Sequence, residues 1–319
     1  MRNILTAILL LAALTVAAQN YSPCYKEKYE AGVALYNKGD YNGAKAKFVA
    51  AKGCPMPNTK EAETWIGRCN KMLNPQHLSC GTVTDVDGNT YNTVQIGQQC
   101  WIRENLRTKH YADGTPIPTG DNVMSDTVPY YYDFSTSKLS LAKRGYLYNW
   151  SAAMHGAASS SVAPSGVQGI CPTGWHLPSN AEWDTLITYV SSQSKFRCKN
   201  FKDSEGEIAS SLASTSGWHK STWGYGGDGV PCDVGNNQSS NNATGFCAFP
   251  AGYYYYSSLG HSCYYGSDGV IAGFWSATEY YYNSGTVAYL CELKCESSHV
   301  QHNGSGEKRE GYSVRCLRD

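Results

Sequence analysis

Thirteen cysteines run from Cys24 to Cys316 along this 319-residue chain, and they restrict its folds more than any other feature. A chain so rich in thiols is organised around disulfides or around metal, and the compartment decides which. Here Arg2 is followed by an apolar run from Ile4 to Leu14 and then by Val16-Ala17-Ala18, small residues that suit a signal peptidase. Residues 1–18 therefore read as a signal peptide, with the mature chain starting at Gln19 and exported to the periplasm, the cell surface or the medium. Disulfides are expected there, and the odd count leaves at least one thiol over. The apolar run is shorter than the roughly 20 residues of a membrane span, and no later segment reaches that length without charges, so no transmembrane insertion is expected. Cys24 sits in YSPC without the small-residue context of a lipoprotein signal, which favours free export over a lipid anchor. Basic and acidic residues cancel at 26 each, which leaves no electrostatic footprint for nucleic acid or an anionic membrane.

Two patterns divide the mature chain. Residues 19–75 are helical in spacing, with Ala31, Ala34 and Leu35, then Tyr41, Ala44 and Phe48, recurring at three and four. Gly39-Asp40 separates a first helix from a second, and a third runs from Lys60 to Met72 with Trp65, Ile66 and Cys69 on its inner side. Gly32, Tyr36, Gly39, Tyr41, Ala44 and Phe48 make this segment resemble a tetratricopeptide repeat. One repeat is too few for a solenoid, which needs about three, so the unit reads as a helical spacer. Cys54 and Cys69 flank its last hairpin, where a bridge would staple it. Residues 76–319 switch to strands and turns. TVTDVDGNTYNTVQIG predicts a β-hairpin around Asp87-Gly88-Asn89, with Cys80 and Cys100 at its open ends in a position to pair. A single clear helix is expected over Asn180 to Ser191, with Ser179 as its cap and Glu182 at the capping-box spacing. The fold class is α+β with long loops, preceded by a small all-α domain.

Six phrases in the second part carry a family resemblance: DVDGNTYNTVQIGQQCWIRENLR, YLYNWSAA, CPTGWHLPSNAEWDTL, GFCAFPAG, FWSATE and GYSVRCLRD. In that order, over nearly all of residues 80–319, they resemble the Fibrobacter succinogenes major paralogous domain. That domain is in turn similar to the formylglycine-generating enzymes, so the resemblance implies a C-type-lectin-like fold. It also implies a bridge between Cys171 and Cys316, where that family carries cysteines.

The resemblance raises the question of an enzyme, since formylglycine-generating enzymes hold copper through a cysteine pair before their last strand. Cys291 and Cys295 lie comparably here, but CELKC has three intervening residues instead of four, and the GNVWEW-like motif is missing. On a strand such a pair would sit about 13 Å apart and share no metal. The bland reading has these two thiols in separate disulfides, with Cys263 or Cys247 as partners. The EPN, QPD and WND tripeptides of calcium-dependent lectins are absent too. Oxygen-bearing turns in DGNT and GGDG leave calcium as the one candidate ion, although Asp-Gly pairs are commoner as plain turns. No catalytic residue, metal ligand or resident cofactor is assigned, and the chain is not expected to be an enzyme.

Tyrosine is the anomaly. Eleven of twenty-five lie between Tyr253 and Tyr312, interleaved with Ser, Gly, Asn, Asp and His. Alternate strand residues face opposite sides, so such runs cannot all be core, and the composition resembles a paratope. The expected contact residues are Tyr254, Tyr256, Tyr264, Tyr265, Tyr281 and Tyr282, with Trp223 as an addition. Tyr, Ser, Asn, Asp, Gly, His and Cys are also the residues reached when adenines of asparagine codons are randomised, so Tyr253 to Asn303 looks like a retroelement-diversified region. The expectation is a recognition protein for a protein or glycan ligand. Its rivals are a copper-dependent oxidase and a structural component of the cell envelope.

Overall fold

The architecture is that of a computed structural model. It describes residues 22–38, 40–55, 59–73, 80–135, 137, 139–198, 207–222, 231–257, 262–280 and 287–319, except for the side chains of 70–73, 256–257 and 262–264. The chain divides into two compact units, the first ending at Gln76 and the second spanning His77–Asp319.

The described residues of the first unit form three helices: α1 (Pro23–Asn37), α2 (Tyr41–Lys52) and α3 (Lys60–Leu73). Ser22 accepts a hydrogen bond from the Tyr25 amide with proline in the first turn, and the Asp40 carboxylate accepts one from the Gly43 amide at 2.8 Å. Both use the orphan donors that every helix start leaves open. An aromatic seam fills the interior: Phe48 stacks on Trp65 at 5.4 Å, and Tyr36 meets the same indole edge-on. The Trp65 indole donates to the Tyr29 hydroxyl at 2.7 Å. The expected Cys54–Cys69 bridge does not form. In an antiparallel hairpin the start of α1 lies beside the end of α2, so Cys24 pairs with Cys54 across 5.8 Å between Cα atoms. Cys69 is an unbonded, buried side chain packed with Ala44 and Phe48.

The second unit mixes short helices with antiparallel sheets. Its strands are β1 (Thr82–Thr84), β2 (Thr90–Ile96), β3 (Gln99–Ile102), β4 (Tyr131–Tyr132), β5 (Leu147–Tyr148), β6 (Trp175–His176), β7 (Tyr253–Ser257), β8 (Ser262–Gly266), β9 (Ile271–Glu279), β10 (Val287–Lys294), β11 (Gln301–Glu307) and β12 (Leu317–Arg318). Helices α4 (Leu141–Arg144), α5 (Trp150–Met154), α6 (Asn180–Ser192) and α7 (Ala209–Leu212) are interspersed. One sheet has the order β1-β2-β3-β12-β6, a second is β11-β10-β9, and β4-β5 and β7-β8 are separate pairs. The predicted hairpin is β1–β2, with Thr84 opposite Thr90. The predicted helix is α6, and Ser179 and Glu182 complete a reciprocal capping box.

The last strand closes the unit, since β12 pairs with β3 on one side and β6 on the other. Trp101, Trp183, Phe246 and Phe274 pack behind that junction, Trp101 lying 4.6 Å from Trp183. Cys80 is bonded to Cys100, Cys171 to Cys316, and Cys198 to Cys232. Bonds of this kind persist where the environment is oxidising. Cys247, Cys291 and Cys295 are unbonded, so the expectation that the last two join disulfides fails: strand β10 turns Cys291 into the aromatic core, and Cys295 follows it inward. Among the described residues no helix is long and apolar enough to cross a membrane.

Candidate ligand-binding surface

The tyrosine run forms the hairpin β7–β8, in which Tyr253 is opposite Gly266, Tyr254 opposite Tyr265 and Tyr255 opposite Tyr264. Strand alternation then divides the rings between two faces. Tyr254, expected as a contact residue, is only 2% exposed. It stacks on Tyr132 at 4.0 Å and its hydroxyl donates to the Gly120 carbonyl, so it belongs to the core. Tyr265 follows it, half-buried and stacked on Phe134 at 4.6 Å, and burial pushes its hydroxyl up to about 12. Tyr281, Tyr282 and Trp223 lie outside the described residues, as do the side chains of Tyr256 and Tyr264.

The opposite face carries tyrosines that sequence reasoning passed over. Half-buried Tyr255 and Tyr253 have ring centroids 5.1 Å apart, and Tyr253 stacks nearly parallel on Tyr312 at 5.5 Å. Trp275 backs Tyr312 edge-on at 4.9 Å. A Cβ at Gly273 or Gly306 would come within 2.7 or 2.8 Å of the Tyr312 ring, so the sheet can seat that ring only where those two residues lack side chains. The parity of Tyr253 and Tyr255 in the run, with Gly311 beside Tyr312, was the available signal, but nothing local says which parity faces the core.

Two carboxyls flank the row. Glu310 accepts a hydrogen bond from the Tyr312 hydroxyl at 3.1 Å, and Glu292, on β10 opposite Gly273, lies on the face where Tyr312 rests. Partial burial raises both acids above the ordinary carboxylate range, against the opposing pull of Lys294 on Glu292 and of Tyr312 on Glu310. Burial, with the nearby Glu310, also raises the Tyr253 hydroxyl. The result is a row of aromatic rings with acceptors at its edge. Rings of this kind offer stacking area and attract cations, and the carboxyls can accept from hydroxyls or ammonium groups.

The other chemistry weighed from sequence finds its groups engaged elsewhere. In DGNT the Asp87 carboxylate accepts from Thr108 Oγ1 at 2.9 Å and from the Lys109 amide, and pairs with His110 Nδ1. Burial alone would raise this acid, but those hydrogen bonds outweigh it and hold it low. GGDG lies outside the described residues. Burial pushes the thiols of Cys291 and Cys295 upward, so neither is disposed to be a thiolate.

The strongest electrostatic constellation is structural. His176, on β6, pairs through Nε2 with Glu182 at 2.8 Å and through Nδ1 with Asp319 at 2.7 Å. Glu182 Oε2 also accepts from the Ser179 and Ser165 amides. Arg315 is fully buried and, among the described residues, forms no ion pair. Its guanidinium donates to Asn105 Oδ1 and to the carbonyls of Ile102, Phe246 and Cys247, and burial lowers it to about 10.

No curated protein and no solved structure shows a significant match to this chain. The family model described as the Fibrobacter succinogenes major domain matches residues 94–318, a stretch that takes in β3, the buried Trp101–Trp183 junction, Arg315 and the tyrosine row. The chain therefore belongs to the Fibrobacter succinogenes major domain family.

Proposed function

We propose that the protein is an exported recognition protein of adhesin type, gripping a glycan or protein ligand with the tyrosine row of its second unit. The observation that carries this reading is the pair of half-buried rings Tyr255 and Tyr253, seated on the buried Tyr312 and flanked by Glu292 and Glu310. Rings already stacked on one another lose little freedom when a ligand covers them, so little binding energy is spent on ordering them. In this reading the second unit has a C-type-lectin-like fold and the first is a tetratricopeptide-like spacer. The Tyr253–Asn303 stretch is a variable surface diversified by a retroelement, and the four disulfides suit export through residues 1–18. A copper oxidase would need thiolates at Cys291 and Cys295, and burial works against both.

The test is to screen the purified full chain on glycan and protein arrays, then repeat with Tyr253→Ala/Tyr255→Ala. Removing two hot-spot rings should weaken capture by on the order of 100-fold. Absence of any captured ligand, or capture unchanged by the double substitution, would overturn the reading.

A further inference from the structure

A cluster in the loop-rich part of the second unit takes no part in the recognition surface. Cys198 follows a short 3-10 turn (Ser194–Phe196), Glu207 stands just before α7, and the Cys198 amide donates to the Glu207 carbonyl at 3.1 Å, which holds the two segments together. Cys232 reaches the same place. The sulfurs of both cysteines and a carboxylate oxygen of Glu207 all lie within 4.8 Å of one another. Glu207 is 9% exposed, and its Oε2 is buried with no hydrogen-bond partner among the described residues. Among the described residues it enters no ion pair. Two described cations of this segment are turned to other partners: Lys195 Nζ lies 4.8 Å over the Phe196 ring, and Arg197 Nε donates to the Ser191 carbonyl. A cavity of about 490 Å3, lined in part by Cys198, Cys232, Asp233, Asn237 and Asn241, opens beside the cluster.

A buried carboxylate oxygen without a donor is costly unless a cation meets it, and native proteins rarely leave one without a reason. Two sulfurs and one carboxylate form the donor set of a zinc-class ion, and three protein ligands leave a fourth position for water. We propose that Cys198, Cys232 and Glu207 form a redox-gated site for a thiophilic divalent cation. In the structure the two cysteines are bonded to each other, which is the closed state of the gate. A dithiol reductant gives two electrons and two protons, becoming a disulfide itself, and the Cys198–Cys232 bond opens to two thiols. The cation displaces both thiol protons, which leave to solvent, and takes the Glu207 Oε2 as its third ligand. The cavity beside the cluster gives water access to the fourth position.

The full chain, reduced with a phosphine under anaerobic conditions, is titrated with Co2+ and then with Zn2+. A thiolate-to-cobalt charge-transfer band should appear in the reduced protein, be bleached by zinc, and be absent from the oxidised protein and from C198S/C232S. Outer-shell partners alone cost about 10–100-fold in metal affinity, so Glu207→Gln should weaken binding by at least that order. In the wild-type chain, zinc should also shield Cys198 and Cys232 from alkylation, which decides the matter even if the serine variant fails to fold. A band that survives in C198S/C232S, unchanged affinity in Glu207→Gln, or shielding confined to other cysteines would overturn the proposal.

Discussion

Where the last strand closes the second unit, Arg315, His176 and Glu182 are buried with partners aimed at them, whereas on the β7–β8 hairpin chemically identical tyrosines are divided between core and surface. The closure consists of groups that water would solvate well, so their burial is stable only when each donor finds an acceptor. The hairpin consists of rings at home in either environment, and there only the direction of the strand decides the role. A conspicuous residue in the first region is therefore scaffold. In the second its meaning depends on parity.

The comparison breaks first at the closure. Trp101→Ala removes a fully buried indole packed on Trp183 and Phe246, and should cost about 3–5 kcal/mol in denaturant titrations. A loss below about 1 kcal/mol would mean that the junction is not the core of the unit. Arg315→Met should cost on the order of 3 kcal/mol, because it leaves Asn105 and three carbonyls facing an apolar side chain. Arg315→Lys should rescue little of that, since an ammonium cannot reproduce the planar fork.

The hairpin sharpens the contrast within a single strand. Tyr254→Ala should destabilise by about 3 kcal/mol, the loss of a buried ring stacked on Tyr132. Tyr255→Ala should cost about 1 kcal/mol or less in stability while weakening ligand capture by about 10-fold. Equal thermal shifts for the two substitutions would refute the assignment of faces.

The smallest effect depends on pH. Burial alone would lower the His176 pKa, but the hydrogen bonds its ring donates to Glu182 and Asp319 prevail and raise it. A raised folded-state pKa contributes stability that is complete below the unfolded value of about 6.5 and is lost as pH rises through the folded value. Wild type should therefore exceed His176→Gln in melting temperature most at about pH 5.5, with the gap narrowing by about pH 8.5. A gap that widens with pH would mean that the imidazole is held neutral.

What was legible in the sequence was local. The turn at Asp87-Gly88-Asn89 joins strands close in sequence, and Ser179 and Glu182 satisfy one helix start from three residues apart, so short-range chemistry determined both. The family motifs likewise marked the helix and strands that meet at the closure. Tertiary structure alone decided that Cys54 pairs with Cys24 and not Cys69, because that depends on which helix ends lie side by side. It alone placed Tyr254 inside and Tyr253 and Tyr255 on the row with Tyr312, since both faces of the strand offer the same side chain and only distant partners such as Tyr132 and Gly273 break the tie. The meeting of Cys198, Glu207 and Cys232 is of the same kind: pairing across loops leaves no periodicity in the chain, and only the folded backbone brings the three together.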